Sequence, residues 1–186
     1  MGYNAQLAQA GVIPAMSAAA GTAIHFTMIP APDKRVTIPY LRLRTGEAGG
    51  VLGILQTSER HNFSQETAGV TLEVPGISED NDGKTVVLRF ESGDTMITTV
   101  VSQDEEVLTL ADSVQQTEKG TLYILGTESE PGSGRITLAV SGSTELKADC
   151  PGVVTGKELG WPVQLHLANT DGDQEIEGGT IALIGV

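Results

Sequence analysis

The stretch 83–126, GKTVVLRFESGDTMITTVVSQDEEVLTLADSVQQTEKGTLYILG, limits what this chain can become more than any other. It holds four short apolar runs, 86–90, 96–101, 107–110 and 122–125, each rich in β-branched or large apolar residues. Turn formers separate them: Ser92-Gly93-Asp94 after the first and Gln103-Asp104-Glu105-Glu106 after the second. Within the first run Val86, Leu88 and Phe90 share one parity, and Val87 and Arg89 the other. A period of two belongs to strands with one buried face. The stretch therefore reads as a β-meander of linked hairpins. It specifies architecture and no chemistry.

The remaining chain extends the pattern. Run 24–29 alternates Ile24, Phe26 and Met28 against His25 and Thr27. Run 36–44, VTIPYLRLR, sets Tyr40, Arg42 and Arg44 opposite Leu41 and Leu43; Pro39 pushes it toward a sheet edge or a bulge. A turn at 45–50 and the run 51–56 complete a hairpin with it. Residues 57–69, TSERHNFSQETAG, are polar and give no clear element, and 70–74 is a further strand. Beyond Gly126 the polar TESEPGSG is the best boundary between two units, followed by strand runs at 135–140, 145–148, 162–168 and 180–184. No segment shows helical periodicity over more than about ten residues. The fold class expected is all-β, an antiparallel β-sandwich or barrel-like pair of sheets, with an extended N-terminal arm. The expected organisation is an arm at 1–23, a main β unit at 24–126, and a C-terminal β unit at 127–186 packed on the first.

The arm, MGYNAQLAQAGVIPAMSAAAGTA, is made of small residues with no charge. It lacks the positive n-region of a secretory signal, and Gln6 fails the myristoylation pattern. It reads as a frayed terminus or as a segment ordered against a partner subunit.

The net charge is −13 and unevenly spread. Residues 1–60 carry five basic and three acidic side chains, net +2; residues 61–186 carry six and 21, net −15. Phosphate backbones demand Lys and Arg, so direct nucleic-acid binding is not expected. The acidic excess keeps an edge-rich β protein soluble, or lets an acidic surface receive the weakly basic N-terminal region of another copy. No run reaches the ~18 apolar residues of a membrane span. The single cysteine, Cys150, excludes an intrachain disulfide and reads as a small packed residue.

Residues that could carry chemistry are few. His25, His61 and His166 show no HxH, HxxxH or HExxH spacing, and no metal or other cofactor is expected from them. The acidic loops 80–83 (DNDG) and 171–175 (DGDQE) alternate oxygen-bearing residues but supply only part of the six to eight ligands that calcium takes. Both also fit turns. No G-x-S-x-G, P-loop or dinucleotide fingerprint occurs, so no catalytic residue is named and the chain is read as non-enzymatic. Trp161 is the only Trp, too little aromatic surface for a sugar platform, and reads as a core or interface anchor.

The arrangement of 85–126, a strand, an -SGD- turn, a Thr-rich strand and a short apolar strand before a polar link, resembles stretches of bacteriophage virion proteins. The segment RVTIPYLRLRTGEAGGVLGILQ is similar to small phage head and decoration proteins. The resemblance covers about 65 residues and implies a capsid decoration (cement) protein that bridges capsid subunits. It implies as partners the major capsid protein and copies of the chain itself, a homotrimer by analogy. Its location would be the phage head surface in the virion, and the host cytoplasm during assembly. Tyr3, Val12, Ile13, Met16, Arg42 and Arg44 are then the expected subunit contacts. A phage tail or neck component is the nearest alternative, and an extracellular carbohydrate-binding β-sandwich module one of another class.

Overall fold

The structure, a computed structural model, describes residues 2–3, 9–13, 16–18, 23–34, 36–45, 50–77, 80–115, 117–127, 136–140, 145–149, 154–155, 158–168 and 174–185, with side chains placed at 27–34, 55–77, 80–115, 117–127 and 158–164. Among the described residues every regular element is a strand. In chain order they are β1 (Gly2–Tyr3), β2 (Gln9–Ile13), β3 (Met16–Ala18), β4 (Ala23–Pro30), β5 (Val36–Thr45), β6 (Gly50–Ser64), β7 (Gly69–Glu73) and β8 (Thr85–Phe90). There follow β9 (Thr95–Asp104), β10 (Val107–Val114), β11 (Lys119–Leu125), β12 (Ile136–Val140), β13 (Glu145–Asp149), β14 (Val154–Thr155), β15 (Val163–Ala168) and β16 (Gln174–Gly185). All but the short β1–β4 pair are antiparallel, so the all-β expectation holds.

The chain forms two compact units. One is Thr57–Gly132; the other combines Met1–Gln56 with Ser133–Val186. The first is thus inserted in the chain of the second, whereas the sequence pattern suggests an arm at 1–23 and two consecutive β units, 24–126 and 127–186. The polar TESEPGSG segment does lie at one end of the inserted unit. The other end falls inside β6, where no turn former marks it.

In the inserted unit six strands run in the order β6, β11, β8, β9, β10, β7, with β6 taking part through 57–64. All six contribute to one core: Phe63, Leu72, Val86, Leu88, Val100, Leu108, Leu110, Leu122 and Ile124 are buried together, with Val74, Ile77, Phe90 and Val114. A single run of strands can share one core only by curling around it or folding over it at a corner. The corner is made by β9. Residues 95–99 pair with β8 and 100–104 with β10, and the register skips Val101, which bulges out 58% exposed.

Strands β8 to β11 are the four runs of the 83–126 stretch, but they do not form a meander. β11 lies beside β8, not β10, giving the order β11, β8, β9, β10, a Greek key. The free side of β10 is taken by β7 instead. The hydrophobic pattern sets which face of a strand is buried; it does not choose the neighbour.

The other unit contains two sets of paired strands: β1, β4, β15, β6 (through 50–56) and β12; and β13 and β14 on β5, then β16, then β2 and β3. The hairpin expected between 36–44 and 51–56 is absent, because β5 pairs with β13, β14 and β16 and β6 with β15, β12 and β11. Pro39 has no register partner on either side: β13 ends at Tyr40, β14 reaches Thr37, and the β16 register shifts there. A residue without an N–H sits where the ladder is interrupted, as its chemistry requires. The arm expected at 1–23 is paired within the chain where it is described: β2 and β3 with β16, and β1 with β4.

Candidate functional site

The expected contact residues fall on the discontinuous unit. Arg42 and Arg44 lie two apart on β5, an interior strand, facing Thr180 and Gly178 of β16 in register on one side and Lys147 and Glu145 of β13 on the other. Val12 and Ile13 stand opposite Thr180 and Gly179, Met16 opposite Ile176, and Tyr3 opposite Pro30. Thus Arg42 and Val12 flank the same residue, Thr180, from its two sides. The register also sets His25 of β4 opposite His166 of β15, residues 141 positions apart that no sequence spacing connects. One row along, Gln164 Nε2 donates to Thr27 Oγ1 at 3.2 Å.

Around Trp161 the chain turns through Gly160, whose φ of 78° suits glycine and whose N–H donates to Lys34 O at 2.7 Å. Trp161 itself is half-buried, and its indole Nε1 is buried with no acceptor among the described residues.

Two clefts are formed by described residues of the inserted unit. The first, about 380 Å³, is lined by Asn62, Phe63, Arg89, Phe90, Glu91, Lys119, Gly120 and Thr121. Thr121 is in register with Asn62 on β6 and Arg89 on β8, so three polar residues form a row across three strands. The Arg89 guanidinium lies 5.3 Å from the centre of the Tyr123 ring and donates to the Tyr123 hydroxyl at 3.3 Å, which fixes its head. The cleft offers charge and hydrogen bonding of both signs. The second, about 500 Å³, runs beside β7 and is lined by Ser64, Gln65, Glu66, Thr67, Thr71, Glu73, Pro75 and Val107. Its chemistry is polar and acidic.

The loop at 80–83 is a turn built from its own oxygens. Asp82 N–H donates to Asp80 Oδ1 at 3.0 Å, Lys84 N–H to Asn81 O at 3.0 Å, and Asn81 Nδ2 to Gln103 Oε1 at 2.9 Å. Gly83 sits at φ 77° with its N–H on Val100 O. Among the described residues no three of His, Cys, Asp and Glu are grouped to hold a metal ion. Residues 171–173 of the second acidic loop lie outside the described ones, as does Cys150.

The sequence reading missed 57–64 as a strand, and with it the Glu59–His61 pair. Both residues lie opposite core residues of β11, Ile124 and Leu122, with His61 Nε2 2.8 Å from Glu59 Oε2. Burial along 57–63 alternates, with Thr57 and Phe63 buried and Ser58, Arg60 and Asn62 exposed. The period of two was present, but three of its four inward positions, Thr57, Glu59 and His61, are polar.

No protein-family model and no curated protein matches the chain. Among solved structures, one of infectious bursal disease virus, Gx strain, aligns with 98% of this chain and 42% of that one, at 10% identity and a TM-score of 0.15.

Proposed function

We propose that this chain is a non-enzymatic structural protein of a virion, a decoration protein that binds an assembled shell and bridges its subunits. The observation that supports this reading best is the segregation of charge between the two units. The inserted unit, Thr57–Gly132, holds 15 acidic and four basic side chains, net −11, whereas the rest of the chain holds nine and seven, net −2. A nearly neutral unit can dock on a protein surface without a large desolvation penalty; a compact unit of net −11 stays in water and repels its copies. On this reading the docking surface belongs to the discontinuous unit, where Tyr3, Val12, Ile13, Met16, Arg42 and Arg44 lie, and the partners are the major capsid protein and further copies of the chain.

The test is co-sedimentation of the purified chain with shells assembled from the capsid protein alone. Binding should saturate at a fixed ratio to capsid subunits, and the double variant Arg42→Glu, Arg44→Glu should weaken it at least tenfold. Absence of saturable binding to shells, with binding to purified tails instead, would replace the decoration role by a tail or neck role.

A further inference from the structure

The outer edge of β7 is held shut by one side chain. β7 pairs with β10 on one side and, among the described residues, with no strand on the other. Val74 N–H donates to Glu106 O at 2.7 Å, so the backbone groups of residues 72 and 74 point toward β10. By the alternation of an antiparallel ladder, the N–H and C=O groups of Thr71 and Glu73 point outward. Gln65 lies in the connection that leads into β7 and is only 7% exposed. Its Nε2 donates to Thr67 O at 2.7 Å and to Thr71 O at 3.1 Å, while its N–H donates to Glu118 O at 3.0 Å. The amide thus occupies the outward carbonyl that an incoming strand would need first.

We infer that Gln65 guards this edge against pairing with the same edge of a second copy. The sequence of β7, GVTLE, is compatible with itself in an antiparallel register centred on Thr71. That register sets Glu73 opposite Gly69 of the second copy, so no like charges meet, and exchanges both outward groups of Thr71. The pairing is isologous and closes as a two-fold dimer. Val70, 42% exposed beside this edge, would be partly covered. Unprotected edges invite such pairing, and natural sheets blunt them with side chains or loops. Here the guard is a neutral amide bonded at both N–H groups, which leaves the strand itself regular. The inference stands apart from the shell-binding role: it concerns how free copies of the chain avoid pairing at this edge.

The experiment is sedimentation equilibrium of the full chain at about 0.15 M salt, where charge repulsion is screened beyond ~8 Å. Circular dichroism serves as the folding control. Gln65→Met, which keeps the bulk and removes both donors, should associate at least tenfold more tightly than wild type. Adding Thr71→Pro, which deletes an outward N–H that the β10 ladder does not use, should restore the wild-type state, and Thr71→Pro alone should leave association unchanged. Association of Gln65→Met equal to wild type would overturn the inference. So would an increase that Thr71→Pro fails to reverse, because it would arise from unfolding or from another surface.

Discussion

The ring of Phe63 stands where a side chain on Gly120 would have to go. Gly120 of β11 is in register with Phe63 of β6 and with Phe90 of β8, and the two rings meet edge to face at 5.7 Å. A Cβ at 120 would stand 2.7 Å from Phe63 Cζ and run into the Arg89 carbonyl oxygen. Gly120→Ala is therefore expected to destabilise the inserted unit by about 2–3 kcal/mol, the upper range for overpacking, since backbone cannot step aside as a side chain can. Gly69→Ala, with open space around it, should fall within about 0.5 kcal/mol of wild type. Urea midpoints of the two variants check the contrast; equal midpoints would contradict it.

Glu105 has φ of 51°, the one non-glycine residue with positive φ among the described ones. It occupies the first loop position of the two-residue hairpin between Asp104 and Val107, where glycine carries no steric penalty. Glu105→Gly should raise stability by about 1 kcal/mol, and Glu105→Val should lower it. Thermal melts of both variants read the sign directly.

Thr98 is buried, and its hydroxyl does two jobs: Oγ1 donates to Asp112 Oδ2 at 2.9 Å and accepts from Asp112 N–H at 3.2 Å. It ties β9 to β10 beyond Thr109, where the β10 registers with β9 and β7 shift. Thr98→Val keeps the shape and removes both bonds, so it should cost about 1–2 kcal/mol, with Asp112, being exposed, recovering part through water. Thr98→Ser should cost less than half of that. A valine variant as stable as wild type would show that the link is unimportant.

Deletion of residues 1–23 discriminates between an independent arm and a paired one. β2 and β3 together cover one side of β16 over Gln9–Leu183 through Gln174–Ala18 pairings. Removing them exposes that side of the 12-residue β16. The truncated chain should lose thermal stability and gain a tendency to associate, because a long bare edge seeks a partner. An unchanged melting temperature would return the segment to the status of an arm.

Much of the strand content was legible, for reasons that particular residues make plain. Val86, Leu88 and Phe90 announce β8 because their neighbours Val87 and Arg89 differ in parity, and the glycines at 83 and 93 mark its ends with φ of 77° and 95°. β6 was legible only through Gln56. Beyond it Thr57, Glu59 and His61 occupy inward positions that would ordinarily be apolar, and the alternation shows only once burial is known. Topology was less legible than content. That β11 joins β8 rather than β10 depends on the bend at Val101, which an apolar run does not mark. The pairing of Gln65 with Thr71, six residues on, was invisible because a polar connection carries no periodicity. The expected contact residues could be placed by register, yet sequence could not tell that Arg42 and Val12 would flank Thr180.

The composition of purified phage particles tests the proposed place of this chain in the virion most directly. Quantitative mass spectrometry of particles from a lysate producing this chain should find it in a fixed, high copy number relative to the major capsid protein, retained on tailless heads. Its absence from purified particles, or its recovery only with separated tails, would contradict the decoration role.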